Sequence, residues 1–423
     1  MARRFWLIGG AGIAIVLFAS VPRSPHETAA TSGSPASSTT STASVGLPST
    51  TTTTTAAPQP STTTTTTPPI VTTIPATTTT TSTPAKPAAF NAAAFDAVIA
   101  AATVDLGDLS AGVAVIRDGK ALHTAAFGME NPFESRAATV RTRFRLASVS
   151  KMLTAITIMQ LIDEGSIELD KPFVDQLGVA GPFDDPRLAT ITVRQLLSHT
   201  SGFPVSRDIF FGHGVDDWHQ AAAAAFGQVL LFDPGTAFRY SNTNFCLLGL
   251  LIEKVTGQTF DAAIEERVLE PIGARAHLAP TFDTEPGDAL HASGAGRNYM
   301  EALGPAGEWV ATPLDVAKIA AALRPDSPGR QLLDPATVDE MRTPIPVPVE
   351  IPPPPVWWSY GLGTMLFADG SWGHTGTIES THTIVVNRPD GLTVALMVSG
   401  KFPTISDDLL PVIANAVTAS AMP

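Results

Sequence analysis

The pattern of apolar and polar positions divides the chain into three parts, and the first is an apolar segment. An uncharged run of 17 residues, Phe5 to Val21, lies between Arg4 and Arg23. A basic start followed by such a run is typical of an export signal, and 17 residues is also near the lower limit for crossing a bilayer. We therefore assign residues 1–27 to an N-terminal signal or anchor segment, and the sequence leaves open whether it is cleaved.

Residues 28–87 form the second part and show neither helical nor strand periodicity. Ser, Thr and Pro dominate it, with threonine runs at Thr50 to Thr55 and Thr62 to Thr67, and Lys86 is its only charge. Such a composition cannot bury enough apolar surface to offset the conformational entropy of the chain. We predict a disordered linker that leads to a folded domain at 88–423.

Strand-like alternation marks both ends of the folded domain. Two hairpins are predicted around glycine-containing turns, namely Gly112–Ile116 with Ala121–Phe127 and Thr383–Asn387 with Leu392–Val398. Both contain the β-branched residues and turn residues that hairpins favour. Each end of the domain therefore contributes antiparallel strands.

Between the two hairpins the pattern is mostly helical. Val149–Asp163 and Phe245–Val255 are apolar over most of their surface, and Thr312 with Pro313 has the N-cap and first-turn residues of another helix. A further amphipathic helix is predicted at Phe90–Ala102. Together these elements predict an α+β fold, with an antiparallel sheet formed by both ends of the domain, helices packed on it and a mostly helical lobe.

Charge and cysteine content exclude several classes of function. The folded domain has 22 basic against 38 acidic residues, a balance that argues against binding to nucleic acid. Cys246 is the single cysteine, which excludes an intramolecular disulfide and a thiolate-rich metal site. His213, Asp216, Asp217 and His219 are close in sequence, but we interpret them as a solvated loop. No cofactor or metal is predicted.

A candidate nucleophile precedes the first long helix. Of the seven lysines, only Lys151 has a serine three positions earlier, Ser148. Positions three apart on a helix share a face, so the amine can reach the hydroxyl. A serine hydroxyl needs a base to attack a carbonyl, and lysine can serve if burial keeps it unprotonated. Alone, this spacing is weak evidence in a serine-rich chain.

Two further segments strengthen the case for catalysis. Tyr240-Ser241-Asn242 precedes a predicted helix, and His374-Thr375-Gly376-Thr377 precedes the last hairpin. With Ser148 and Lys151 they resemble, in order, the Ser-x-x-Lys, Tyr-x-Asn and Lys/His-Thr-Gly motifs of the serine β-lactamase and penicillin-binding protein superfamily. The resemblance covers nearly the whole folded domain and is closest to class C β-lactamases and low-molecular-mass D,D-carboxypeptidases. Supporting segments are Phe144 to Ala147, Leu197 to Gly202, Pro234 to Arg239, Ala311 to Asp315 and Tyr360 to Gly363.

The resemblance implies three catalytic residues. Ser148 would attack a carbonyl and hold the acyl group, Lys151 would accept the serine proton, and Tyr240 would relay a proton to the leaving group. These roles require the three side chains to meet in one pocket. His199, within a supporting segment, is interpreted as a structural residue of its turn.

The resemblance also implies substrate-binding residues. Asn242 would hold the substrate amide, and Thr375, followed by Gly376, would orient a substrate carboxylate. The backbone N–H groups of Thr377 and of the nucleophile would form the oxyanion hole. His374 replaces the lysine that is commoner in the superfamily, so we expect a positive charge that is present only part of the time near neutral pH.

The residues of the third motif favour a D,D-carboxypeptidase-like hydrolase acting on cell-wall peptides. Some relatives of that kind place an arginine before this motif to bind the terminal carboxylate, whereas residues 364–372 contain no basic residue. Without that cation a neutral acyl donor fits better, so an esterase or an amidase stays open. A β-lactamase of the same superfamily and a catalytically silent module that binds wall peptides also stay open.

The expected partners and location follow from the same analysis. We expect a peptide or small acyl substrate, β-lactams included, no nucleic acid, and a monomer. The protein is expected to be exported and extracytoplasmic, with its N-terminal segment in contact with the membrane unless the signal is cleaved.

Overall fold

The computed structural model describes residues 90–205, 210, 215–291, 298–346, 358–401 and 405–421. The predicted signal and linker segments, the proline run 352–355 and His213 lie outside the described residues. Within them the helices α1 to α11 are Ala92–Ala102, Ser150–Asp163, Phe173–Leu177, Val193–Leu197, Trp218–Ala225, Asn242–Thr256, Phe260–Ile264, Met300–Leu303, Pro313–Ala321, Pro335–Met341 and Leu409–Ser420. The strands β1 to β11 are Ser110–Arg117, Lys120–Asn131, Arg136–Ala137, Phe144–Arg145, Ala276–Leu278, Trp309–Ala311, Trp358–Tyr360, Met365–Phe367, Trp372–Ile378, Thr381–Asn387 and Leu392–Ser399.

An eight-stranded sheet joins the two ends of the folded domain. Its strand order is β3-β2-β1-β11-β10-β9-β8-β7, and its neighbouring strands are antiparallel. Strand β1 from the start of the domain pairs with β11 from its end, with Ser110 opposite Ser399 and Arg117 opposite Leu392. The predicted α+β fold, with a sheet formed by both ends of the domain, is confirmed.

The turn between β1 and β2 explains the first hairpin. Asp118 and Gly119 both have positive φ, at 52° and 70°, as a two-residue turn of the kind favoured in hairpins requires. Aspartate and glycine tolerate this left-handed backbone better than most residues do. The local sequence therefore specifies the register of this edge of the sheet.

Helices cover both faces of the sheet, which explains the near-continuous apolar character of its central strands. On one face α1 packs against α11, with Phe95, Ile99 and Ile413 fully buried. On the other face α9 packs on β1 and β11, and the helical lobe extends the core. Every residue of β10 and β11 is buried.

The helical lobe carries α2 and α6 side by side. Helix α2 begins at Ser150, two residues after the candidate nucleophile, and α6 begins at Asn242 and ends before Gly257, which has φ 70°. A small sheet of order β4-β6-β5 supports the same region. Two of the three sequence motifs are therefore placed at neighbouring helix starts. Across the described ranges, we find no helix with the length and apolar character needed to cross a membrane.

Candidate active site

A strained turn presents Ser148 to the cleft. Strand β4 leads into a single helical turn, Ala147–Val149, and Ala147 has φ 48° although it is not glycine. Left-handed backbone at a residue with a Cβ is costly and is found mainly where the surrounding structure holds a functional geometry. Ala147 and Val149 are buried, whereas Ser148 is partly exposed. The turn therefore directs the hydroxyl of Ser148 towards the cleft.

Lys151 lies one helical turn beyond Ser148 and is fully buried. Its Nζ contacts three oxygen atoms: Ser148 Oγ at 3.1 Å, Asn242 Oδ1 at 2.8 Å and the carbonyl oxygen of Ala306 at 2.7 Å. Because none of these oxygens carries a full charge, burial dominates and lowers the pKa of Lys151 to about 7. A neutral amine donates to the two carbonyl-type oxygens and directs its lone pair at the hydroxyl of Ser148.

Tyr240 and Asn242 reach this amine from the segment that opens α6. The Nζ of Lys151 lies 5.0 Å from the ring centroid of Tyr240. Burial raises the pKa of Tyr240 well above its usual range, and Asp407 raises it further, while the hydroxyl of Ser148 opposes this shift. The Tyr240 hydroxyl has no partner of full hydrogen-bond geometry among the described residues. Tyr240 is therefore a neutral phenol next to both Ser148 and Lys151, able to pass on a proton.

The third motif lies on β9, which packs against the turn of Ser148. At Gly376 the two segments come so close that an added Cβ would lie 2.3 Å from the carbonyl oxygen of Leu146 and 2.9 Å from the backbone nitrogen of Ser148. The side chain of Thr383 reinforces this contact by donating to the Leu146 oxygen at 2.8 Å. Glycine is required here because the β-carbon of any larger residue would overlap with the turn that carries Ser148.

His374 does not supply the positive charge expected from the sequence. Its Nδ1 lies 2.6 Å from the carbonyl oxygen of Thr375, so Nδ1 holds the proton and Nε2 accepts from the hydroxyl of Tyr360 at 2.9 Å. Burial, with nearby Lys151, lowers the pKa of His374 to about 3. The side chain is only 1% exposed. The expected part-time charge is therefore wrong, and His374 is a neutral buried imidazole.

The two threonines of the motif contact the segment that precedes α11. Thr375 is buried and donates its hydroxyl to Asp407 Oδ1 at 2.6 Å, while Thr377 Oγ1 lies 2.6 Å from Ser406 Oγ. The single proton of the Thr375 hydroxyl is thus directed at a protein carboxylate, which differs from the expected contact with a substrate carboxylate. Thr377 lines the same cavity as Ser148, as an oxyanion role for their backbone N–H groups requires.

A cavity of about 430 Å³ opens at Ser148. It is lined by Ala147, Ser148, Asn242, Tyr299, Leu303, Ala306, Gly307, Thr377, Ile378 and Glu379. The structure therefore brings together the predicted residues Ser148, Asn242 and Thr377 at one cavity, with Lys151 buried against them.

Several residues that the structure places at the site have no site role predicted from the sequence. Tyr299 donates its hydroxyl to Glu379 at 2.8 Å in the cavity wall, and Tyr360 holds His374. The scarcity of tyrosine was an available signal, because the chain has three tyrosines and all of them lie at this site. No comparable signal marks the carbonyl oxygen of Ala306, which is 155 positions from Lys151.

Possible metal ligands occur elsewhere in the described residues. His277, Glu285 and Asp288 have potential ligand atoms within 4.8 Å of one another, but Asp288 already accepts a hydrogen bond from Arg143 Nε at 2.6 Å. His219, interpreted from the sequence as part of a solvated loop, lies instead in α5, where its ring is 3.0 Å from Glu253. The loop interpretation is therefore wrong for this residue.

Comparisons with known proteins agree with this geometry. The family described as Beta-lactamase matches residues 95–418. Penicillin-binding protein 4 of Amycolatopsis lactamdurans is 34% identical over 177 residues, which cover 41% of this chain and 45% of that protein. The chain thus spans less than half the length of the curated relatives it matches.

Solved structures extend the similarity over most of the chain. The crystal structure of SurE with D-Leu has 30% identity and a TM-score of 0.63, covering 77% of this chain and 76% of that one. A D-stereospecific amidohydrolase from Streptomyces sp. has 27% identity and a TM-score of 0.61, covering 78% and 98%. Because the family match spans most of the folded domain and the solved relatives share its fold, the chain belongs to the beta-lactamase family, within the superfamily of serine β-lactamases and penicillin-binding proteins.

Proposed function

We propose that the protein is a serine hydrolase that forms an acyl-enzyme at Ser148. The Oγ of Ser148 attacks the substrate carbonyl while Lys151 takes the hydroxyl proton. As the tetrahedral intermediate collapses, Tyr240 gives a proton to the leaving group and is reprotonated from Lys151. Water then attacks the ester and releases the acid and free Ser148. The observation that carries the proposal is the buried amine of Lys151, 3.1 Å from Ser148 Oγ with a pKa of about 7.

The proposed substrate is an amide or ester of a D-amino acid whose leaving group has no carboxylate. Among the described residues that line the cavity, Glu379 is the only one with a full charge, and Asp407 lies behind Thr375. Two carboxylates oppose the binding of a third, since recognition of a carboxylate favours a cation. The similarity to SurE with D-Leu and to a D-stereospecific amidohydrolase supports the D-configuration.

The second candidate is the D,D-carboxypeptidase-like action on cell-wall peptides that the sequence favoured. The His374-Thr375-Gly376 motif and the similarity to a penicillin-binding protein support it. It requires a cation for the terminal carboxylate of the peptide, which residues 364–372 do not supply. A β-lactam could acylate Ser148 under either candidate.

The test of the hydrolase is covalent capture. The purified chain is incubated with a reporter penicillin and with a p-nitrophenyl ester, and intact mass and product release are measured. We expect the wild type to gain the acyl mass or to release product, and Ser148→Ala to do neither. If neither reagent modifies the wild type and the wild type hydrolyses neither of them, the silent binding module is favoured.

A second measurement separates the two substrate classes. Hydrolysis of D-leucinamide, L-leucinamide and a diacylated peptide ending in D-Ala-D-Ala is compared under the same conditions. Faster turnover of the D-amide supports the first candidate, and faster turnover of the peptide supports the second. Equal turnover of the two leucinamides would contradict the proposed D-configuration.

We also propose that the protein is exported and acts outside the cytoplasm, near the membrane. The basic start and uncharged run of residues 1–27, followed by the Thr-rich segment 28–87, support this location.

A further inference from the structure

His199 accepts hydrogen bonds from the residues on both sides of Tyr240. The carbonyl oxygen of His199 accepts the backbone N–H of Arg239 at 2.9 Å, and its Nδ1 accepts the backbone N–H of Ser241 at 3.2 Å. The residues immediately before and after Tyr240 are therefore both attached to this one histidine. Tyr240 precedes α6, so the backbone hydrogen bonds of that helix do not fix its position.

The hydrogen bonds of His199 set its tautomer. Nδ1 also lies 3.0 Å from the amide nitrogen of Asn244, whose own oxygen accepts from Ser201 Oγ at 2.7 Å. Since Asn244 Nδ2 and Ser241 N are both donors, Nδ1 is unprotonated and the proton lies on Nε2. Burial, with nearby Lys151, lowers the pKa of His199 well below its usual range, which keeps the ring neutral.

The imidazole ring also packs directly on the phenol. Its centroid lies 4.2 Å from that of Tyr240 and 4.9 Å from that of Tyr360, at interplanar angles of 34° and 59°. Nε2 has no hydrogen-bond partner among the described residues, and the imidazole ring also contacts Phe238 and Phe245. The ring therefore acts as a flat neutral support for Tyr240 rather than as a second base.

The backbone of His199 is held in an unfavourable conformation to achieve this. Its φ is 59°, in the left-handed region, and the residue is fully buried. Non-glycine residues in this region cost about 1–3 kcal/mol and persist where the surrounding structure requires them. A turn residue without a further task could be glycine or asparagine at lower cost.

We infer that His199 is a positioning residue for catalysis, which fixes the Tyr240 hydroxyl where it can protonate the leaving group. The inference rests on the proposed acyl-enzyme mechanism and adds a specific dependence on the leaving group. A leaving group that needs a proton requires Tyr240 in place, whereas p-nitrophenolate leaves as a stable anion. Loss of His199 should therefore slow amides much more than activated esters.

The experiment compares kcat/KM for a D-leucine amide and for the p-nitrophenyl ester of the same acyl group. His199→Gly suits the left-handed backbone but removes both the acceptor and the ring. Because general acid catalysis contributes about 10²–10⁴-fold, we expect a loss of about 10²-fold for the amide and, by the same reasoning, of less than about 5-fold for the ester. Tyr240→Phe should show the same selectivity.

Further variants keep the test decisive. His199→Asn tolerates the left-handed backbone and retains an acceptor, so it should recover part of the amide activity. His199→Phe keeps a ring against Tyr240 without an acceptor and replaces the glycine variant if that does not fold. His123→Phe is the matched control, because His123 lies on β2 and its Nε2 contacts Asp96 Oδ1 at 2.7 Å rather than any residue of the site. This variant should leave the ratio of the two rates unchanged.

Two results would overturn the inference. One is an equal loss for amide and ester in the folded His199 variants. The other is additivity, in which His199→Gly slows the amide further in a Tyr240→Phe background by its full single-variant factor. A wild type that is not acylated at all would instead contradict the proposed function, so the two failures are distinguishable.

Discussion

At the scale of single residues, the candidate site is organised around a lysine enclosed by uncharged acceptors. The amine of Lys151 contacts Ser148, Asn242 and the backbone of Ala306, and no carboxylate among the described residues bonds to it. A carboxylate partner would keep the lysine charged, whereas burial with neutral partners lowers its pKa to about 7. In the proposed mechanism Ser148 therefore uses this amine as its base and needs no histidine for that role.

The pH dependence of acylation follows from this pKa. In the proposed mechanism the neutral amine is the active form, so kcat/KM should rise with pH through an inflection near the pKa of about 7 and level off above it. The measurement is acylation by the p-nitrophenyl ester between about pH 5.5 and 9, a range chosen to span that pKa. Because the pKa of His374 is about 3, His374→Gln should retain the inflection. A flat profile in the wild type would contradict the assigned role of Lys151.

At the scale of elements, the site depends on the close approach of β9 to the turn that carries Ser148. The three motifs come from distant parts of the sequence: one lies at the start of α2, one at the start of α6 and one on β9. Gly376 is the contact point, and Thr383 of β10 ties the same carbonyl of Leu146 to the sheet. In the proposed mechanism, the packing of β9 therefore sets the distance between Ser148 and the backbone N–H group of Thr377.

Gly376→Ala should impair catalysis more than stability. Its Cβ would lie 2.3 Å from the Leu146 oxygen, which forces β9 away from Ser148. We expect a loss of about 1–3 kcal/mol in unfolding free energy and, since small misplacements of reacting groups cost about 10²-fold, a similar loss of acylation rate. Thermal unfolding and reporter acylation measure the two effects.

The control for this substitution is Gly227→Ala. The nearest atoms to its Cβ are 3.7 and 3.9 Å away, ordinary van der Waals contacts. Its stability and acylation should therefore stay close to wild type. A fully active Gly376→Ala protein would show that β9 does not set the geometry of the nucleophile.

At the scale of the whole molecule, one sheet joins the two ends of the folded domain. Strand β1 pairs with β11 along its full length, and α1 packs on α11. Ser406 and Asp407, just before α11, contact the threonines of β9. The C-terminal segment thus completes both the core and the wall of the site.

Removal of residues 1–87 should leave the chemistry intact, because the family match begins at residue 95 and the candidate site is built from residues within it, Ala147 to Asp407. We expect kcat/KM for the ester to change less than about 2-fold, since distant sites behave independently. If the signal is retained, full-length protein should sediment with membranes in fractionated cells and the 88–423 protein should not. A large activity loss on truncation would show that the N-terminal part contributes to the site.

By itself the sequence determined the fold class and the order of the motifs. Turn residues such as Asp118 and Gly119 fix a hairpin locally, Thr312 and Pro313 start a helix as predicted, and apolar runs show which segments are buried. The three motifs pointed to Ser148 and the residues around it because each motif is defined by residue types and short spacings that can be read along the chain.

Only the tertiary structure decided the protonation states and the charges of the cleft. Burial lowers the pKa of Lys151, and one of the groups that enclose its amine is a carbonyl 155 positions away. The neutral state of His374 depends on burial and on nearby Lys151. Likewise, the proximity of Asp407 to Thr375 and the contacts of His199 around Tyr240 exist only after folding. Desolvation and Coulomb interactions are set by distance in space, and spacing along the chain does not report that distance.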